Sequence, residues 1–310
     1  MPKILGYPFR AYMIHNDKKR MKTLPHYENG FKTIADIRYE KGAGKFHKLD
    51  FIIPDGKEND ITPVVIDIHG GAYYFGYKWI NDDIARYFAI HSGWKIVNAN
   101  YRIVGFGTSI FEGIKDVVKM IEYVYAHADE LKIDKNNIFI MGDSAGAHIM
   151  SLAATCFYNP EYAKAIGVEI KEPVKFNAAA FTCGVYTFDP FLDTWYLRPF
   201  LKDISKSRLE KDERYKLSQV MKQYVPGSFP IILNSAFGDF LKKQTHLFYD
   251  YLQKNNNEAK LIFYEESLDG ERKLEHVYNV MFPFYEESVK TNDDICDFFK
   301  SYIKKWQEGF

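Results

Sequence analysis

The chain is poor in cysteine: three in 310 residues, at Cys156, Cys183 and Cys296. They are far apart and form no Cys-x-x-Cys, so neither a disulfide scaffold nor a cysteine-based zinc site is expected, and a reducing cytoplasm fits. An excess of charge of either sign is also missing. Lys plus Arg and Asp plus Glu number 41 each. That balance argues against a nucleic-acid or anionic-membrane partner. The basic piece Lys18-Lys19-Arg20 is short and reads as a solvated face. No apolar run approaches the roughly 20 residues of a membrane helix. The stretch Met1 to Pro8 has no hydrophobic leader region or cleavage signal, which adds to the expectation of a soluble, cytoplasmic protein. There is no His-Glu-x-x-His and no dinucleotide fingerprint, so neither a metal nor an organic cofactor is expected. Gly42-Ala-Gly-Lys45 has part of a phosphate-loop pattern. Tyr39 stands where its first glycine belongs and Phe46 where Ser or Thr should follow the lysine, so that reading is rejected.

What the chain does have is apolar material, 46% hydrophobic and 17% aromatic residues. That supports a large core, in one large α/β domain or two small ones. Residues 1–30, with Pro8, Pro25 and the basic cluster, suggest irregular or short helical structure. Phe31–Tyr39 alternates as a half-buried strand does, Gly42–Gly44 turns it, and Phe46–Ile53 returns. From Thr62 onward strands and helices alternate. Strands are expected at Thr62–Ile68, Trp94–Tyr101, Ile138–Met141, Phe176–Tyr186, Pro230–Phe237 and Ala259–Tyr264. Helices are expected at Asn81–His91, Ile110–Leu131, Leu241–Gln253 and Asn292–Trp306. Residues 187–228 interrupt the rhythm with prolines, aromatics and a charged helical piece over Ser205–Tyr224, and read as an insertion. This order predicts a mostly parallel sheet with helices on both faces, after an antiparallel opening pair. Sites in such sheets lie beyond the carboxyl ends of the strands.

Two motifs fall at those ends. Gly142-Asp-Ser144-Ala-Gly146 follows an apolar strand and precedes a helical run of small residues, the context of a nucleophile elbow. Ser144 then sits in a strained turn at a helix N-terminus, where free N–H groups favour negative charge. His69-Gly70-Gly71-Ala72 follows the Thr62–Ile68 strand. Its glycines let the backbone approach a substrate, so Gly70, Gly71 and Ala72 are candidates for an oxyanion loop, with the N–H groups of Gly71 and Ala72 joining that of Ala145.

At His69–Gly71 and Gly142–Gly146 the chain resembles the α/β hydrolases of the hormone-sensitive-lipase-like group, and Tyr101-Arg102 also looks like that family. The resemblance runs from Thr62 to the C-terminus. One departure is Ala72, where many members carry a third glycine; the N–H survives, but the fit of bulky acyl groups changes. The resemblance implies one α/β-hydrolase domain over residues 1–310, a cap insertion at 187–228, and residues 1–30 adding to the cap.

Triad order in this fold is serine, acid, histidine. Asp239 follows the next-to-last strand in an Asp-x-Leu setting similar to that of the family's acid. Asp269 and Glu275 are rivals in or beside the histidine's own loop. His276 is the one histidine in the loop after the last strand, and His148, one helical turn beyond Ser144, reads as a packing residue. Tyr186, Phe188, Phe191, Trp195, Tyr196 and Phe200 are either an apolar lid or the insertion's own core, and Tyr73 and Tyr74 are set to line the site. The expected function is a serine carboxylesterase that hydrolyses small soluble esters through Ser144, His276 and Asp239 and an acyl-enzyme. An arylformamidase-like amidase would share every residue. A hydrolase-fold binding protein without activity is the reading from another class. The expected partner is a small-molecule ester, with no nucleic acid and no membrane; a homo-oligomer is left open.

Overall fold

The computed structural model describes residues 3–304 except 43, 106, 194–196 and 210, with side chains described from residue 10. Eight strands form one sheet in the order β1-β2-β4-β3-β5-β6-β7-β8. They are β1 (Phe31–Arg38), β2 (Lys48–Pro54), β3 (Thr62–Ile68), β4 (Lys95–Ala99), β5 (Ile133–Asp143), β6 (Ala178–Thr182), β7 (Ile231–Ala236) and β8 (Ala259–Tyr264). β1 and β2 pair antiparallel, as do β2 and β4, and every other pairing is parallel.

The central strands are apolar on both sides because both faces are covered. In β3, Val64, Ile66 and Ile68 join one core cluster and Val65 the opposite one. The helices are α1 (Lys3–Met21), α2 (Asp82–Ser92), α3 (Ile110–Ala126), α4 (Ala128–Leu131), α5 (Ala145–Thr155), α6 (Pro160–Ala165), α7 (Arg198–Ser205), α8 (Glu213–Leu217), α9 (Val220–Gln223), α10 (Lys242–Lys254), α11 (Tyr278–Met281) and α12 (Glu286–Ser301). Residues of α3, α5 and α10 fill the first cluster, and residues of α2 and α12 the second. None of the described helices is long and apolar enough to cross a membrane.

Several segments differ from the sequence expectation: β5 runs over Ile133–Asp143 rather than Ile138–Met141, and β6 over Ala178–Thr182 rather than Phe176–Tyr186. Residues 3–21 form one 19-residue helix rather than irregular or short helical structure. The helix expected over Ile110–Leu131 starts at a capping box of Ser109 and Glu112, but breaks at His127 into α3 and α4. The helical piece expected over Ser205–Tyr224 is divided among the end of α7, α8 and α9; Lys206 and Leu209 take positive φ of 50° and 66°, which ends α7. α12 begins at Glu286, earlier than Asn292, while the expected end at Trp306 lies outside the described residues.

Candidate active site

β5 delivers Ser144 to the rim. The serine has φ 50° and ψ −117°, a geometry that β-carbon sterics disfavour. It persists because the chain is held on both sides. Ser144 N–H donates to Thr182 O at 2.8 Å, and the His148 N–H returns to Ser144 O at 3.3 Å. Strand and helix pass so close that a Cβ on Gly146 would lie 2.5 Å from the carbonyl oxygens of Ile68 and His69. That contact explains the glycine.

β7 and the loop after β8 deliver the other two groups. His276 Nε2 lies 2.9 Å from Ser144 Oγ, and His276 Nδ1 lies 2.6 Å from Asp239 Oδ1. These partners assign the tautomer: Nδ1–H donates to the carboxylate and Nε2 accepts from the serine hydroxyl. Asp239 is buried, and burial pushes its carboxyl upward. The hydrogen bond and charge of His276 outweigh that, helped by Ser235 Oγ–H at 2.7 Å and the Leu241 N–H at 2.8 Å. The carboxyl therefore ends below its ordinary value. The loops of acid and base are joined by backbone. Gly238 N–H donates to Leu274 O at 3.1 Å, and Gly238 and Glu275 form a parallel bridge. The rivals stay outside: Asp269 pairs with Arg272 and Glu275 with Lys273, at the surface.

The His69–Ala72 loop faces this array. Gly71, Ala72 and Tyr73 have positive φ of 125°, 46° and 70°, and the turn is closed by the Tyr74 and Phe75 N–H groups on Gly71 O. Among the described residues no group accepts from the N–H of Gly71, Ala72 or Ala145. The Gly70 N–H is different, and it corrects the sequence expectation for that residue: it donates to Asp143 Oδ1 at 2.9 Å, so it is not free for an oxyanion. Gly70 instead gives room, because a Cβ there would stand 2.3 Å from Asp143 Oδ2.

Asp143 belongs to a buried network whose other members were not singled out from sequence. Asn81 Nδ2 donates to Asp143 Oδ1 at 3.0 Å and to Asp67 Oδ2 at 2.9 Å. Burial raises both carboxyls, Asp67 far above the usual range. Asp143 was visible inside Gly-Asp-Ser-Ala-Gly. Asn81 and Asp67 had no motif to mark them.

Two further buried histidines, His69 and His148, lie close to Ser144 in sequence or space and are held in place by neighbours. His69 is buried and stacks on Tyr101, its Nδ1–H donates to Gly70 O, and burial lowers its pKa to about 4. Tyr101 O–H caps the His69 carbonyl at 2.7 Å, and Arg102 forks onto Asp116. His148 is likewise held neutral by burial, at about 4. Its Nε2–H donates to Ser218 O and its Nδ1 accepts from Tyr73 O–H, which ties the loop after β3 and α5 to the segment 187–228. Tyr73, His148 and Phe188 pack as an edge-to-face aromatic wall. Tyr186 stacks on Phe248 inside the main core, and Phe200 lies over Tyr74. Trp195 and Tyr196 lie outside the described residues.

Cys183, Asp239 and His276 put three metal-ligand atoms within 4.8 Å of one another. The set suits a metal poorly. The facing atoms of Asp239 and His276 bond each other, Cys183 Sγ accepts the Val277 N–H, and burial pushes the thiol well above its ordinary pKa.

A family model described as BD-FAE matches residues 49–232. The chain belongs to the BD-FAE family. Among curated relatives, isoprenylcysteine alpha-carbonyl methylesterase of Arabidopsis thaliana is 29% identical over 232 residues, covering 70% of this chain and 52% of that one. The probable carboxylic ester hydrolase LipM of Mycobacterium tuberculosis is 30% identical over 181 residues, 58% of this chain and 40% of that one. The chain thus spans about half the length of these relatives, or less. Among solved structures, esterase B of Lactobacillus rhamnosis superposes with a TM-score of 0.86 at 22% identity, covering 96% of this chain and 95% of that one. The fold of this BD-FAE member is the α/β-hydrolase fold.

Proposed function

We propose that this BD-FAE protein is a serine carboxylesterase acting on small carboxylic esters, with Ser144 as nucleophile, His276 as base and Asp239 as orienting acid. The observation that carries the reading is the hydrogen-bonded line Ser144 Oγ–His276 Nε2, His276 Nδ1–Asp239 Oδ1, drawn from three distant segments. Three uncommitted N–H groups, on Gly71, Ala72 and Ala145, lie in the two motifs that flank the serine. Esterase names among the relatives support the reaction type.

The steps follow from the geometry. His276 Nε2 takes the Ser144 proton as Oγ attacks the ester carbonyl. The carbonyl electron pair moves to oxygen, facing the free N–H groups. Asp239 holds the Nδ1–H and stabilises the imidazolium. The tetrahedral centre collapses, the C–O bond to the alcohol breaks, and His276 gives its proton to the leaving alkoxide. Water, deprotonated by His276, then attacks the acyl carbon; the bond to Ser144 Oγ breaks, and His276 returns the proton to Oγ as the acid leaves. Residues 187–228 serve as a cap on a single domain, and residues 1–30 add to it. Three buried free thiols support a reducing, cytoplasmic location.

Fluorophosphonate treatment should add one adduct to wild-type protein, mapped to Ser144, and none to Ser144→Ala. Ser144→Ala should lose acetyl-ester hydrolysis while melting like wild type. Folded wild type that takes no label would remove the catalytic reading and leave a binding protein. Turnover of N-formyl anilides faster than acetyl esters would move the reaction to amide hydrolysis on the same residues.

A further inference from the structure

Asp239 and Leu241 are buried, but Phe240 between them is 75% exposed. Its backbone is not loose. Asp239 N–H donates to Ala236 O, Leu241 N–H to the Asp239 carboxylate, and Lys242 N–H to Asp239 O. The turn that fixes the acid therefore also fixes where this ring stands. It stands against the base, with ring centroids of Phe240 and His276 4.4 Å apart at 42°. An exposed phenylalanine on a pinned turn gains the fold little, so its position calls for a reason outside folding.

The reaction chemistry gives one. The proton that leaves with the alcohol comes from His276 Nε2, so the alkoxide oxygen must come within about 3 Å of that nitrogen. The alcohol's first carbons then lie beside whatever borders the imidazole. Tyr73, His148 and Phe188 are buried against one another and offer no exposed ring. Beside the imidazole the exposed ring is Phe240. Resting on the triad reading above, we propose that Phe240 is the specificity-determining residue for the alcohol half of the substrate. The substrate class is esters of alcohols that carry an apolar group, aryl or arylmethyl, able to lie against that ring. The bond that breaks and the path of the proton are those already given.

The test holds the acyl group constant and varies the alcohol. All acetates share one acyl-enzyme, so differences in kcat/KM between them report the acylation step alone. Wild type should prefer benzyl acetate to ethyl acetate. In Phe240→Ala the ratio of the two kcat/KM values should fall roughly tenfold, and Phe240→Leu should fall between. The ratio of ethyl hexanoate to ethyl acetate, which varies only the acyl chain, should stay as in wild type. An unchanged benzyl-to-ethyl ratio overturns the proposal, as does an equal shift in the acyl series. Fluorophosphonate labelling of the same preparations separates the two failures. No adduct on Ser144 in wild type sinks the triad reading. An adduct with an unchanged alcohol ratio sinks only the role of Phe240.

Discussion

Asn81 spends both of its N–H bonds on carboxylates, one on Asp67 and one on Asp143. Two buried acids in one network repel unless a shared donor or a proton separates them, and burial raises both carboxyls, Asp67 far above the usual range. Through Asp143 the same amide braces Gly70, the residue before the two free N–H groups of the proposed oxyanion loop. Asn81→Leu removes the donor and leaves the acids buried. Urea titration should show a loss of about 1–3 kcal/mol, the usual cost of orphaned buried polar groups. Gly70→Ala is a different lesion. Its φ is not positive, so alanine strains no dihedral, but the methyl meets Asp143 Oδ2 at 2.3 Å. The loop or the aspartate must shift, and acetyl-ester kcat should fall by about 10²-fold or more, the order seen when an oxyanion donor is lost. None of this is legible along the chain. Ser144, Asp239 and His276 announce themselves by motif and order. The amide that Gly70 gives to Asp143, by contrast, depends on how β3 and β5 lie side by side.

At the scale of elements, legibility followed the strength of the apolar pattern. Thr62–Ile68 and Ala259–Tyr264 match their strands end to end, because short apolar runs between polar turns leave little choice. The helix at Lys3–Met21 was not legible. Pro8 argues against it locally, and contacts made far away in sequence hold it. Arg20 donates to the Met281 carbonyl at 2.8 Å, and Arg10 meets the Tyr77 hydroxyl. His26 fastens its end: Nδ1 faces Asp83 Oδ2 at 2.6 Å and Nε2 faces the Met21 carbonyl at 2.7 Å. A carboxylate and a carbonyl both accept, so both bonds together require the protonated ring. The hydrogen bond to Asp83 is the main cause that raises the His26 pKa, against some burial and the nearby Arg86. A pKa raised in the folded state contributes stability that is full below the unfolded value and is lost as pH rises through the folded one. His26→Gln should therefore lower Tm more at about pH 5.5 than at about pH 8.5. Equal loss at both would show that the ring charge plays no part.

Over the whole molecule, the segment 187–228 is less separate than its composition suggests. Phe188, Leu201, Ile204, Tyr215, Val220 and Tyr224 are buried in the same cluster as α3, α5 and β3. A cap that shares its core with the sheet should not unfold alone. In urea, far-ultraviolet circular dichroism and acetyl-ester hydrolysis should be lost at one midpoint. Activity that vanishes well before the circular dichroism changes would show a cap that opens independently. The sheet's reach beyond its last ladder matters in another way. The chain leaves the edge strand at Tyr264, wanders through Asp269 and Glu271 at the surface, and is caught again where Gly238 meets Leu274. Leu268 N–H and Arg272 tie this excursion to the buried Glu287 carboxylate, so only its exposed turn around Gly270 stands clear of the imidazole's anchor. An epitope or fluorophore spliced in at Gly270 would ride on the molecule without disturbing turnover.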